Sequence, residues 1–290
     1  MHQALQAFTN TFLLLNAQPI PTISVGMDLK TYLSLRDKQK HPETFREVCL
    51  RCFRPRKSCL CSDINAFDTV THIVILMHPK EAKKVKMGTG RLTHLCLSNS
   101  ELRLGTDFTR DERVNSLIND NRYFPVILYP GENSVQISKD ATLIQNIGAK
   151  TLLVFVIDAS WPLAKKILRQ SHNLKALPQI HFRPKVPSRY VLKQQPHPYC
   201  LCTIESVSLL LDELDSIGLE KCGGKHYVLR EVLEKMCRLQ SEFSGPITAS
   251  GYRKDASLPS KQKWSPGKRQ KRSVCFDEGD ERENNGICYQ

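Results

Sequence analysis

Four cysteines stand within thirteen residues of the segment CLRCFRPRKSCLC, at Cys49, Cys52, Cys59 and Cys61. Each C-x2-C or C-x-C pair can direct two thiolates toward one ion, and four sulfur ligands complete the tetrahedral coordination of zinc. The spacing therefore predicts a structural zinc site in which protein fills all four positions. A redox disulfide within C-x2-C is one alternative, and four unrelated thiols are the other.

A carboxylate, a hydroxyl and an indole come close together at Asp158, Ser160 and Trp161. Residues 151–157 are apolar or β-branched and predict a strand buried on both faces, and Pro162 opens a run with helical spacing. Ligands of open α/β sheets bind beyond the carboxyl ends of strands, where Asp158 would offer a base or a hydrogen-bond acceptor and Trp161 a stacking surface. The alternative is that Asp158 caps the helix and Trp161 belongs to the core.

Two further segments could border the same pocket. A predicted strand, Phe124 to Tyr129, runs into the loop YPGENS, and HPYCLCTIES leads into a predicted amphipathic helix that begins near Thr203. Glu205 in the first turn could instead only complement the positive end of that helix. Cys200 and Cys202 have no second pair nearby, so we interpret them as packed thiols.

The surrounding elements indicate an open α/β sheet. Residues 71–77 predict a buried strand that ends at His78-Pro79. A basic segment at 82–87, helical or looped, precedes Gly88-Thr89-Gly90-Arg91. Residues 188–192 predict another strand. The Gly-x-Gly is too short for a dinucleotide fingerprint and no G-x-x-x-x-G-K-[ST] occurs, which excludes Rossmann and P-loop assignments.

The charge balance favours a polyanionic partner. The chain has 42 Lys and Arg against 29 Asp and Glu, a net charge of +13. Such an excess is typical of proteins that bind nucleic acid or, as the alternative, an anionic membrane surface. Between Asp158 and Glu205 there are eight cations and no acid, whereas ordinary surfaces mix both signs.

The composition also predicts the compartment and the division of the chain. No run approaches the roughly 20 apolar residues of a membrane helix, and no secretory signal is evident. Eleven cysteines in 290 residues, an odd number with uneven spacing, indicate a reducing compartment, so we expect a cytoplasmic protein. We also expect no membrane association, and no obligate protein partner is evident. We divide the chain into a lead-in at 1–44, a zinc knuckle at 45–66, a main domain at 67–248 and a basic tail at 249–290 that we interpret as disordered.

The order of the motifs resembles the DTW-domain family. The motifs stand here as CLRCFRPRKSCLC, HPKEAKKVKMGTGRL, YPGENS, DASW and CTIES, spanning roughly residues 49 to 215. The resemblance implies a knotted SPOUT-like α/β fold with a small N-terminal zinc knuckle. It also implies a tRNA-uridine aminocarboxypropyltransferase, which moves the 3-amino-3-carboxypropyl group from S-adenosylmethionine to N3 of uridine. One departure is that Ser160 occupies the position of the family's threonine, which keeps the hydroxyl and loses a methyl group.

The resemblance and the chemistry together suggest roles for individual residues. Uridine N3 must lose its proton before it can attack, and Asp158 is the candidate base. The residues expected to hold S-adenosylmethionine come from three segments: Tyr129, Pro130, Gly131 and Ser134; Ser160 and Trp161; and Tyr199, Cys202, Thr203 and Glu205. The residues expected to contact tRNA phosphates are basic: Arg51, Arg54, Lys83, Lys84, Arg91, Lys165, Arg183 and Arg189.

Two other functions fit parts of this pattern. A noncatalytic zinc-knuckle RNA-binding protein would need the charge and the cysteines but not Asp158. An S-adenosylmethionine-dependent RNA methyltransferase would differ in releasing S-adenosylhomocysteine instead of methylthioadenosine.

Overall fold

The structure is a computed structural model that describes residues 47–83, 88–192 and 197–244, together with the backbone of Met27–Asp28. The predicted basic tail, most of the lead-in, and Lys84 lie outside the described residues. The strands are β1 (Met27–Asp28), β2 (His72–Met77), β3 (Ser100–Leu104), β4 (Tyr123–Leu128), β5 (Val135–Gln136), β6 (Thr151–Asp158) and β7 (Gln179–His181). The helices are α1 (Pro79–Lys83), α2 (Thr89–Cys96), α3 (Glu112–Ile118), α4 (Ala141–Ile147), α5 (Trp161–Gln170), α6 (His172–Lys175), α7 (Thr203–Ser216) and α8 (Val228–Ser244), with 3-10 turns at Arg56–Ser58 and Lys225–Tyr227.

The described strands form one sheet in the order β1-β3-β2-β6-β4-β7-β5. β1 is antiparallel to β3, and the other neighbours are parallel. β6 lies between β2 and β4, with every residue from Leu152 to Asp158 buried. This arrangement confirms the predicted buried strands and places the carboxyl ends of β2, β6, β4 and β7 along one edge of the sheet.

Helices cover both faces of the sheet, which is why the central strands are apolar on both sides. On one face, Val154 and Val156 of β6 belong to a core that includes residues of α2, α7 and α8. On the other face, Phe155 and Ile157 pack in a second core with residues of α3, α5 and α6. The cysteine segment contributes Cys52 and others to the first core, so it packs on the same side of the sheet as α7.

Some sequence predictions differ from the structure. Residues 188–192 form no strand, because the backbone N–H of Arg189 donates to a side chain, Glu205 Oε1, at 2.6 Å rather than to a neighbouring strand. The helix Thr89–Cys96 and the short β1 were not predicted. The helix Thr203–Ser216 begins where the sequence indicated. Among the described residues, no helix is long and apolar enough to cross a membrane.

Candidate active site and metal centre

Asp158 lies at the carboxyl end of β6, in the middle of the sheet edge. Its backbone carbonyl accepts a hydrogen bond of 3.0 Å from His78 N, which fixes the exit of β2 beside it. The side chain is 5% exposed, and Thr203 Oγ1 donates a hydrogen bond of 2.6 Å to its Oδ1. Asp158 is therefore a buried carboxylate held by the first residue of α7.

Asp158 does not cap the helix that follows it. The N-cap of α5 is Ser160, and its side chain makes no capping hydrogen bond. The capping alternative for Asp158 is therefore wrong. Trp161, the first residue of α5, is only partly buried and does not belong to the fully buried core.

Gly90 lies against the Asp158 carboxyl group, beside Oδ2. A Cβ built on Gly90 would lie 2.5 Å from Asp158 Cγ and 2.5 Å from Oδ2, distances that Cβ atoms in proteins almost never show. Gly90 is the second residue of α2, and Thr203 is the first residue of α7. Two helix N-termini thus meet at this carboxylate, and both favour its negative charge.

The loop after β4 is shaped by its own polar contacts. A Cβ on Gly131 would lie 2.4 Å from Gln179 Oε1, so a side chain there would displace the end of the Gln179 side chain. Ser134 Oγ donates to Gly131 O at 2.7 Å and lies 3.0 Å from His181 Nδ1. Tyr129 and Pro130 are buried, and burial raises the pKa of Tyr129. The loop is therefore packed against β7, and β4 lies between β7 and β6.

Glu205 joins the start of α7 to the segment before it. Its carboxylate accepts hydrogen bonds from Cys202 N at 2.9 Å, Ser188 Oγ at 2.7 Å and Arg189 N at 2.6 Å. The bond from Cys202 N is one half of a capping box. Glu205 therefore stabilises the start of α7, which is the alternative role that the sequence offered for it. Tyr199, in the same segment, is partly buried.

The two cysteines of this segment are packed thiols, as predicted. Cys200 and Cys202 are 1% and 7% exposed, and among the described residues neither belongs to a group that could bind metal. Burial raises the pKa of Cys202 well above its usual range.

The four cysteines of the knuckle converge on one point. Cys49 Sγ and Cys61 Sγ lie 3.6 Å apart, Cys52 Sγ and Cys59 Sγ lie 3.7 Å apart, and the four sulfurs are all within 4.8 Å of one another. A tetrahedral zinc ion with bonds of about 2.3 Å places its sulfurs about 3.8 Å apart, whereas a disulfide needs about 2.05 Å. The cluster therefore fits a metal ion and contains no disulfide.

The protonation of these thiols differs with their surroundings. A hydrogen bond from the Cys52 backbone lowers the pKa of Cys49 to about 6. Burial raises the pKa of Cys59 and of Cys61. A bound cation would overcome that desolvation and hold all four as thiolates.

The knuckle touches the helix that contacts Asp158. Phe53 has a left-handed φ of 55°, unusual for a residue with a side chain, and its N–H donates to Cys49 O at 2.8 Å. The Arg91 guanidinium lies 4.8 Å from the centroid of the Phe53 ring. Because Arg91 follows Gly90 in α2, one helix connects the cysteine cluster to Asp158.

The predicted phosphate contacts fall into two groups. Arg51, Lys83, Lys165 and Arg189 are exposed, and Arg183 is partly buried. Arg54 and Arg91 are only 2% and 4% exposed, so the expectation that they lie on a basic surface is wrong. Arg54 turns inward because its Nε donates to Ser58 O at 2.9 Å and holds the knuckle loop.

Gly90 is the site residue whose role the sequence did not reveal. In the sequence, the Gly88-Thr89-Gly90 spacing was too short for a dinucleotide-binding motif and indicated no other role. The steric reason for the glycine depends on how α2 packs on β6, which no local pattern encodes.

Comparisons with known proteins match most of the chain. The DTW domain matches residues 46–241, which include the four knuckle cysteines and Asp158. The chain is 28% identical over 215 residues to tRNA-uridine aminocarboxypropyltransferase 2 of Macaca fascicularis, covering 72% of this chain and 68% of that protein. It is 30% identical over 196 residues to the protein of the same name from Drosophila melanogaster, covering 66% and 75%. It is 27% identical over 229 residues to tRNA-uridine aminocarboxypropyltransferase A of Arabidopsis thaliana, covering 70% and 84%. No solved structure matches the chain.

Proposed function

The chain belongs to the DTW-domain family, and from this premise we propose that it transfers the 3-amino-3-carboxypropyl group of S-adenosylmethionine to N3 of a uridine in tRNA. The observation that carries the proposal is the match over most of the chain to relatives named tRNA-uridine aminocarboxypropyltransferase. A buried carboxylate at the ligand-binding edge of a parallel sheet supports it.

In this proposal Asp158 is the general base. The carboxylate takes the N3 proton, the N3 electron pair forms the new bond to the γ-carbon, and the carbon–sulfur bond breaks with its electrons on sulfur, releasing methylthioadenosine. S-adenosylmethionine supplies the electrophilic carbon and the leaving group. Thr203 orients the carboxylate through Oδ1, and Gly90 keeps space beside Oδ2.

Selection of the γ-carbon over the methyl carbon requires a fixed donor geometry. We propose that the loop at Tyr129, Pro130, Gly131 and Ser134, the turn at Ser160 and Trp161, and the segment from Tyr199 to Thr203 hold the donor. The first two segments follow β4 and β6 at the sheet edge where Asp158 lies, and the third reaches Asp158 through the hydrogen bond from Thr203. We assign Glu205 to shaping this segment, because its carboxylate already accepts three hydrogen bonds from the protein.

We further propose that Cys49, Cys52, Cys59 and Cys61 bind one structural zinc ion, as their sulfur spacing supports. Exposed cations, among them Lys83 and Lys165, would contact tRNA phosphates. The knotted SPOUT-like topology and the cytoplasmic location remain parts of this proposal. The free thiols of the described cysteines support a reducing compartment.

Mass spectrometry of nucleosides tests the function. Total tRNA from a strain that lacks the modifying enzyme is incubated with the full-length protein and S-adenosylmethionine. The expected product is aminocarboxypropyluridine together with methylthioadenosine. Methyluridine with S-adenosylhomocysteine would instead identify a methyltransferase, and tRNA binding without any modified uridine would identify a noncatalytic RNA-binding protein.

A further inference from the structure

A groove of about 820 Å³ runs along α7 on the side opposite Asp158. The helix contributes Glu205, Leu209, Asp212 and Ser216 to its lining. At 3.6 residues per turn, these positions lie on the face of α7 that points away from Thr203. The groove is therefore a separate cavity from the site in which Thr203 holds Asp158.

Most acidic side chains of the groove already have partners. Asp212 accepts a hydrogen bond of 2.6 Å from the His226 ring and forms an ion pair with Arg230. Glu234 pairs with Arg189 at 2.5 Å. Glu205 accepts its three hydrogen bonds from the chain, as described above.

Three cations of the groove form no close ion pair with the described residues. Lys139, Arg183 and Lys185 line it, and within the described part of the chain none of them forms an ion pair. The Nε of Arg183 is buried and has no hydrogen-bond partner among the described residues. This wall of the groove can therefore accept an anion with several oxygen atoms, such as a phosphodiester.

One carboxylate faces the same space with unused acceptor capacity. Gln136 Nε2 donates to Glu213 Oε1 at 3.2 Å, whereas Oε2 is buried and accepts no hydrogen bond from the described residues. Burial raises the pKa of Glu213, and the polar side chains of Ser138 and Gln136, followed by the charges of Lys139 and Lys185, oppose the rise. A simple inorganic anion would leave Oε2 unsatisfied, so the complementary ligand carries a hydrogen-bond donor beside its negative charge.

We propose that this groove binds a ribonucleotide segment of the tRNA away from the target uridine. A phosphate would contact Lys139, Arg183 and Lys185, and the ribose 2′-hydroxyl next to it would donate to Glu213. The identity of the RNA as tRNA rests on the proposed function. A ribose-phosphate unit has both required groups at every nucleotide, so the contact would be independent of sequence.

Binding of unmodified tRNA to the full-length protein, measured across a salt series, tests the proposal. We compare K139Q/K185Q with K150Q/K175Q, which makes the same charge change at two exposed lysines outside the groove. The groove variant should bind about tenfold more weakly at low salt, and its salt slope should fall by up to about 1, because both lysines contact the same phosphate. The control should lose much less on both measures. E213M, which keeps a side chain of similar length but removes both acceptor oxygens, should reduce the preference for an RNA hairpin over a DNA hairpin of the same sequence.

Several results would overturn the proposal. One is equal behaviour of the groove and control variants, and another is an unchanged RNA-to-DNA preference in E213M. A fall in S-adenosylmethionine affinity with unchanged tRNA affinity would assign the groove to the donor. These tRNA-binding measurements do not require catalysis. They therefore test the groove even if the protein fails to carry out the proposed transfer reaction.

Discussion

The hydroxyl of Thr203 donates a 2.6 Å hydrogen bond to Oδ1 of Asp158, across 45 residues of sequence. The bond ties the first residue of α7 to the last residue of β6, the strand in the middle of the sheet. It fixes the direction in which the buried carboxylate faces. A substitution at Thr203 can therefore disturb the proposed base while Asp158 itself is unchanged.

Removal of that hydroxyl should slow the reaction. Thr203→Val keeps the branched shape but leaves Asp158 without its donor, so we expect turnover to fall by about 10-fold to 100-fold, the cost of a hydrogen bond to a charged group. Thr203→Ser keeps the donor and should remain within a few-fold of the unsubstituted protein. Single-turnover rates are measured beside urea unfolding. Equal rates for the two variants would show that the hydroxyl does not matter.

A methyl group on Gly90 should disturb Asp158 directly. The new Cβ of Gly90→Ala would lie 2.5 Å from the carboxyl carbon, so α2 or Asp158 has to move and activity should fall by at least tenfold. Gly88→Ala is the matched control, since its nearest atom is 4.0 Å away and its φ is −72°. Activity is compared with circular dichroism of both variants. Full activity in the Gly90 variant would mean that the close approach has no functional role.

The proposed metal site at the four knuckle cysteines predicts one zinc ion per chain. Elemental analysis of protein purified without chelator should give a stoichiometry close to one, and Cys59→Ser should lose zinc and stability because three thiolates remain. Cys222→Ser, in a buried cysteine outside the cluster, should keep its zinc. The Cys59 variant should lose tRNA binding more than S-adenosylmethionine binding. Absence of zinc from the unsubstituted protein would refute the assignment.

An ion-pair cluster at the other end of β2 predicts a pH-dependent contribution to stability. Hydrogen bonds from His72 and Arg113 lower the pKa of Glu101 to about 2, from an unfolded value of 4.5. A depressed carboxyl pKa stabilises the fold above the unfolded pKa, and that stability is lost as the pH falls through the folded value. Glu101→Gln should therefore cost about 2 kcal/mol at pH 7 and less than half as much at pH 3.

Urea unfolding at several pH values measures this contribution. The control is Glu112→Gln, at an exposed position in the first turn of α3. Its unfolding free energy should differ from that of the unsubstituted protein by much less at neutral pH. A cost for the Glu101 variant that does not change with pH would contradict the assigned ion pairing.

The parts of the molecule that the sequence predicted are those set by local pattern. Seven consecutive apolar or β-branched residues were enough to place β6, and the cysteine spacing was enough to bring four sulfurs together. The segment 188–192 looked like a strand, but its backbone is bound by the distant Glu205. Gly90 against Asp158 and the inward turn of Arg54 also depend on tertiary packing, which periodicity does not encode.

The most direct test of the account is the single-turnover rate of aminocarboxypropyluridine formation by Asp158→Asn, measured by nucleoside mass spectrometry at saturating tRNA and S-adenosylmethionine. The amide keeps the size of the side chain and can still accept from Thr203, but it cannot take the N3 proton. We predict a rate lower by about 10²-fold or more, with zinc content and tRNA affinity nearly unchanged and partial recovery at high pH, where uridine ionises unaided. A rate equal to that of the unsubstituted protein would contradict a catalytic role for Asp158. A loss that high S-adenosylmethionine restores would instead assign the carboxylate to binding the donor's ammonium group.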